Sequence, residues 1–119
     1  MHIKEIYYNS PGTDDGSNAS LNGEWIKLNN TSNDNISLKD WTIRDRAGHV
    51  YTFGSYTLSA NSSVKIHTGS GTNTSSNRYW GHDWYIWNND TDKATLKGDG
   101  GGVVDTCSYD NSSVSYKMC

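Results

Sequence analysis

Charge, proline and long apolar runs are all scarce in this sequence. Only 19% of its 119 residues are charged, ten Lys and Arg against thirteen Asp and Glu, for a net charge of −3. Neither sign forms a run, and the isoelectric point is near 5.7. A polynucleotide is held by a cationic face that displaces its counterions, so no nucleic-acid partner is expected. No apolar stretch approaches the roughly 20 residues of a membrane-spanning helix, so no membrane insertion is expected either. The opening "MHIKEIYYNS" lacks the hydrophobic segment of a secretory signal. Met1 therefore reads as a start placed before an excised domain, with a longer natural protein and a removed signal as the expectation. Two Cys and four His, at no ligand-like spacing, do not make a zinc site.

Apolar residues are also few, at 33%, but charge does not replace them: aromatics reach 12%, and Asn, Ser, Thr and Gly supply the balance. Disordered chains are poor in aromatic and β-branched residues, and this one is rich in both. The chain is long enough for one hydrophobic core, so residues 1–119 are expected to form a single domain.

Apolar residues recur at a period of two, the period of strands, and no amphipathic helix is expected. "EWIKLNN" (24–30) sets Trp25 and Lys27 against Ile26 and Leu28. "LKDWTIRD" (38–45) places Trp41 and Ile43 on one face, "HVYTF" (49–53) aligns Tyr51 with Phe53, and "SVKIHTG" (63–69) aligns Val64 with Ile66. "IKEIYYN" (3–9), "KATLKG" (93–98) with Leu96, and "VVDTCSY" (103–109) read as further strands. Gly48 falls where a short hairpin loop favours positive φ, and "GDGGG" (98–102) reads as a second hairpin turn. Seven to nine short strands in a chain of this length predict an all-β, immunoglobulin-like sandwich.

The only cysteines, Cys107 and Cys119, flank "SYDNSSVSYKM". A turn at "DNSS" would fold this segment into a hairpin centred near Ser113, with the two cysteines facing each other across paired strands. The expectation is a disulfide worth about 3 kcal/mol by loop-closure entropy, and with it an oxidising, extracellular or cell-surface setting. Asn-x-Ser/Thr triplets at Asn18, Asn29, Asn30, Asn35, Asn61, Asn73, Asn89 and Asn111 permit glycosylation there, although the composition alone supplies most of them.

From about Glu5 to Tyr109 the segments also resemble the lamin tail domain. The resemblance rests on Glu24-Trp25 with Leu28, the "L-x-x-W" of Leu38 and Trp41, "TGSGT" at 68–72, and "WNN-x-x-D" from Trp87 to Asp92. The "YWG" at 79–81 and the cysteine pair resemble the extracellular microbial branch, and the basic patches of the nuclear branch are missing. The resemblance implies a non-catalytic accessory module, and it implies core positions for Trp25, Trp41, Phe53 and Trp87.

Chemistry-bearing patterns are weak. His67 near Ser70 and His49 after Asp45 allow a Ser-His-Asp set to be drawn. The stretch 69–71 lacks the spacing and following helix of a nucleophile elbow, however, so a small hydrolase is the least favoured reading. "GDGGG" lacks the Lys-Ser/Thr of a phosphate loop. Loop carboxylates Asp14, Asp15, Asp90, Asp92 and Asp99 offer the oxygen ligands calcium prefers. None follows EF-hand spacing, and Asp begins turns for backbone reasons alone. No cofactor is expected, with a structural calcium as the minor alternative.

The densest feature is "NRYWGHDWYIWNND" (77–90), with three of the five tryptophans and two of the eight tyrosines. By resemblance Trp87 belongs inside, and Tyr79 and Trp80 cover one end of the sandwich. Trp84 and Tyr85, beside His82 and Asp83, depart most from the family pattern and are the candidates for an exposed contact surface. Tyr79, Trp80, Trp84 and Tyr85 are thus the candidate ligand-binding residues. The expected function is recognition or tethering of a protein or cell-envelope glycan by a monomeric module, with a purely structural spacer as the alternative.

Overall fold

The computed structural model describes residues 1–119. In chain order it contains β1 (His2–Tyr7), α1 (Asn18–Asn22), β2 (Trp25–Asn29), β3 (Ile36–Ser37), β4 (Thr42–Arg44), β5 (Val50–Thr52), β6 (Thr57–Leu58), β7 (Ser63–His67), β8 (Asn77–Tyr79), β9 (Thr91–Lys97), β10 (Val103–Asp110) and β11 (Tyr116–Met118). A five-stranded sheet, in the order β11-β1-β2-β7-β8, faces a four-stranded sheet ordered β10-β9-β4-β5. The β3–β6 ribbon stands apart from both. All pairings are antiparallel except β7–β8. The architecture is an immunoglobulin-like β-sandwich.

Strand alternation builds the core. In the five-stranded sheet, Ile6, Ile26 and Ile66 lie side by side on neighbouring strands, as do Ile3, Leu28 and Val64. All six are buried. The other sheet answers with Ile43 beside Leu96 and Tyr51, and with Ala94 beside Cys107. Leu38, Phe53, Leu58 and Trp87 complete the same cluster. Each of the larger side chains withdrawn from water contributes about 1.5–3 kcal/mol.

Two expected core residues lie elsewhere. Trp25 is only half-buried, because the pleat that turns Ile26 and Leu28 inward turns Trp25 to the opposite face. There its ring stacks on Tyr7, 5.5 Å between centroids. Trp41 precedes β4 in a turn, its amide bonded to the Leu38 carbonyl, and it packs against the core from the rim. The turn is made possible by Asp40 at φ 66°.

The glycine turns fall where the sequence places them. Gly48 has φ 99°, and Gly101, at φ 85°, closes the β9–β10 hairpin through its bond to the Gly98 carbonyl. The short helix α1, capped by the Ser17 hydroxyl on the Ser20 amide, was not expected. Five residues give no amphipathic period to detect.

The C-terminal hairpin does not form. β10 pairs with β9, and β11 crosses to the other sheet and pairs with β1, Tyr7 opposite Tyr116. Residues 111–115 make that crossing, tied down by bonds from the Tyr8 and Asn9 amides to the Ser115 carbonyl. The Cys107–Cys119 disulfide is present, with Cα atoms 5.9 Å apart. It joins the two sheets rather than the two arms of one hairpin.

Candidate functional site

Residues 79–90 cross one end of the sandwich, and a buried carboxylate fixes their path. Glu24, immediately before β2, is fully buried. Its Oε1 accepts three hydrogen bonds: from the Thr68 hydroxyl at 2.7 Å, the Ile86 amide at 2.8 Å and the Trp87 amide at 3.0 Å. Oε2 has no hydrogen-bond partner. Burial pushes the Glu24 carboxyl up to about 7, against the opposing pull of the three donors. Trp87 is thereby held in the core, 1% exposed.

A second buried carboxylate, Asp92, anchors the far side. It accepts from the Arg46 and Lys93 amides through Oδ1, and from the amide and side chain of Asn88 through Oδ2. The Asn88 carbonyl accepts from the Tyr109 hydroxyl at 2.6 Å. Burial, reinforced by the charge of Asp92, raises the Tyr109 phenol far above its ordinary range.

The four candidate contact residues divide into two places. Tyr79 ends β8 and stacks on His67, 5.0 Å between centroids, on the outer face of the five-stranded sheet. Trp80 plugs the sandwich end: it is half-buried, its ring edge-on to Trp87 at 6.2 Å and 5.7 Å from Tyr51. Its amide bonds the His67 carbonyl, and Gly81 and His82 bond the carbonyls of Gly69 and Thr68. Trp84 is 56% exposed. One face of its indole lies against Gly16, where a Cβ would sit 2.5 Å from the ring. Tyr85 meets Trp84 edge to face, and its hydroxyl lies 2.5 Å from that of Ser20 and 3.2 Å from the Gly16 amide that donates to it. The 11–17 segment and α1 therefore buttress Trp84 and Tyr85, a contact no local pattern in the sequence indicates.

Beside Trp84 runs a shallow groove of about 260 Å³, lined also by Asp14, Tyr85, Asn88, Asn89 and Asp90. The Asn89 side chain donates to Asp14 across it at 3.0 Å. Amide and carboxylate groups thus rim an open indole face.

His67 does not meet a serine or a carboxylate. Its ring nitrogens lie 2.9 Å from the Asn22 carbonyl and 2.8 Å from the Asn77 side chain. His49 contacts Asp45 at 2.7 Å, but that carboxylate is also the acceptor for the Gly48 and His49 amides of its own turn. Of the loop carboxylates, Asp15 takes the Ser17 amide and Asp90 the Thr91 amide. No three His, Cys, Asp or Glu side chains converge on a point where a metal could sit.

The family model for the lamin tail domain matches residues 1–111. The chain belongs to that family. This lamin tail domain thus has the immunoglobulin-like frame of its family, with the Glu24 and Asp92 anchors inside the matched region. No curated protein matches the chain. No helix is long and apolar enough to cross a membrane.

Proposed function

We propose that this lamin tail domain is a non-catalytic recognition or tethering module of a secreted or cell-surface protein, acting as a monomer on a protein or cell-envelope glycan. The observation that carries the reading is Trp84, an indole more than half exposed and backed by Gly16 rather than left mobile. A large exposed aromatic costs solvation, and holding it in one position lowers the entropy lost when a partner stacks on it. Asn88, Asn89, Asp14 and Asp90 supply the polar rim that fixes orientation in such sites. The inter-sheet disulfide supports an oxidising compartment.

The spacer reading draws on the same contacts, since Tyr85 and Trp84 also fasten the 11–20 segment to the sandwich. Tryptophan fluorescence, titrated with solubilised cell-wall polysaccharide, separates the two. A saturable shift that Trp84→Ala abolishes supports the recognition site. A flat titration in the wild type, with Trp84 shielded from quencher, removes that site and leaves the spacer.

A further inference from the structure

The outer face of the five-stranded sheet is not a bland solvent face, and at one corner Asn22 of α1 closes on His67 and Gly71 on Tyr79. The row at one end of its strands is aromatic throughout: Tyr116, Tyr7, Trp25, His67 and Tyr79 are successive cross-strand neighbours. At the spacing of paired strands the row is about 19 Å long. Tyr7 is stacked between Trp25 and Tyr116, at 5.5 and 6.1 Å. The next row carries Glu5, Lys27, Lys65 and Asn77 in register.

Lys27 and Lys65 are directly opposed on adjacent strands, a placement that costs free energy for like charges. Glu5 faces Lys27 from β1 but forms no ion pair with it; the ion pairs of the molecule are His49–Asp45 and His82–Asp83. The Lys65 ammonium is instead held 4.3 Å above the Trp25 ring, which fixes its position. Between the two lysines opens a groove of about 300 Å³ lined by Lys27, Lys65, Ser63, Ser76 and Asn77. Two unpaired ammonium groups, two hydroxyls and an amide converge there, in a protein whose net charge is −3.

We propose that this groove binds an acidic polysaccharide. Carboxylates of the sugar chain would meet Lys27 and Lys65, and its hydroxyls the side chains of Ser63, Ser76 and Asn77. A polynucleotide fits less well. Base stacking needs open ring faces, whereas Tyr7 is covered on both sides and Lys65 caps Trp25. The site is separate from the Trp84 groove and does not depend on it.

Isothermal titration of the full chain with oligogalacturonate tests the proposal. Saturable binding is expected, weakening as salt is raised. The Lys27→Ala/Lys65→Ala double variant loses about tenfold in affinity or more, as two partly exposed ion pairs warrant. Lys27→Arg/Lys65→Arg retains binding, which separates loss of charge from loss of fold. Lys39→Ala/Lys93→Ala removes the same net charge from exposed positions elsewhere and leaves the affinity unchanged. The proposal is overturned if oligogalacturonate does not saturate, if the arginine variant also fails to bind, or if the two alanine pairs behave alike. Equal or tighter binding of a neutral glucan or of oligothymidylate overturns it too.

Discussion

Replacing Glu24 with glutamine should make this protein more stable at alkaline pH and only slightly more so in mild acid. The carboxyl is fully buried, and its pKa rises from 4.5 to about 7 on folding, with burial as the first cause. Between those two values the folded protein holds a proton that the unfolded chain has released. Stability therefore falls as pH climbs through this window and levels off above it. A displacement of that size corresponds to about 3 kcal/mol at pH 8. Glutamine mimics the protonated acid: its Oε1 still accepts from Thr68, Ile86 and Trp87, and its amide group occupies the place of Oε2, which has no partner in the wild type. The difference in unfolding free energy between the two proteins cancels every other titrating group. Urea denaturation followed by tryptophan fluorescence at pH 5, 6, 7 and 8 measures it. The glutamine variant should exceed the wild type by about 1 kcal/mol at pH 5, rising to about 3 kcal/mol at pH 8. A difference that stays flat with pH, or a variant weakened at pH 8, would refute the reasoning. Either result would mean that three donors to one carboxylate oxygen outweigh the cost of burying its charge.

Reducing the Cys107–Cys119 bridge, or replacing both residues with alanine, should lower the unfolding free energy by about 3 kcal/mol, the entropy of a short closed loop. A loss below about 1 kcal/mol by urea denaturation would show that the crossing segment is already fixed by its hydrogen bonds alone. Asp92→Ala should cost roughly 3 kcal/mol, because the Arg46 and Asn88 amides lose a buried acceptor. A thermal midpoint unchanged from wild type would show that water replaces the carboxylate there.

The sequence carried the parts of this fold that are local. Ile26 with Leu28 and Val64 with Ile66 declare inward faces by alternation, and Gly48 and Gly101 mark turns that only a few residues determine. Trp25 shows where a different signal misled. Alternation sets it opposite Ile26, and family likeness set it in the core, but one pleat cannot turn adjacent residues the same way. The cysteines pair as their symmetry implies, yet the reason differs. Hairpin geometry is local, whereas the choice of β1 as partner for β11 depends on a strand more than a hundred residues away. The buttressing of Trp84 by Gly16 and of Tyr85 by Ser20 was hidden for the same reason. The aromatic row across five strands is likewise invisible until the register is known, because its members are scattered from Tyr7 to Tyr116.

The bridge between the sheets also decides how the molecule carries tension. Met1 and Cys119 lie at the same end of the antiparallel β1–β11 pair, with the Cys119 amide bonded to the Lys4 carbonyl. Pulled apart at those points, the pair alone would unzip one bond at a time. The sulfur link diverts the load: force arriving at Cys119 passes covalently to Cys107, in the middle of β10. The 108–118 loop, β11 included, drops out of the load path. The strain falls instead on β10, which is paired to β9 along nearly its whole length. In reducing conditions the weakest strand is the first to peel, and in oxidising conditions the longest one bears the pull.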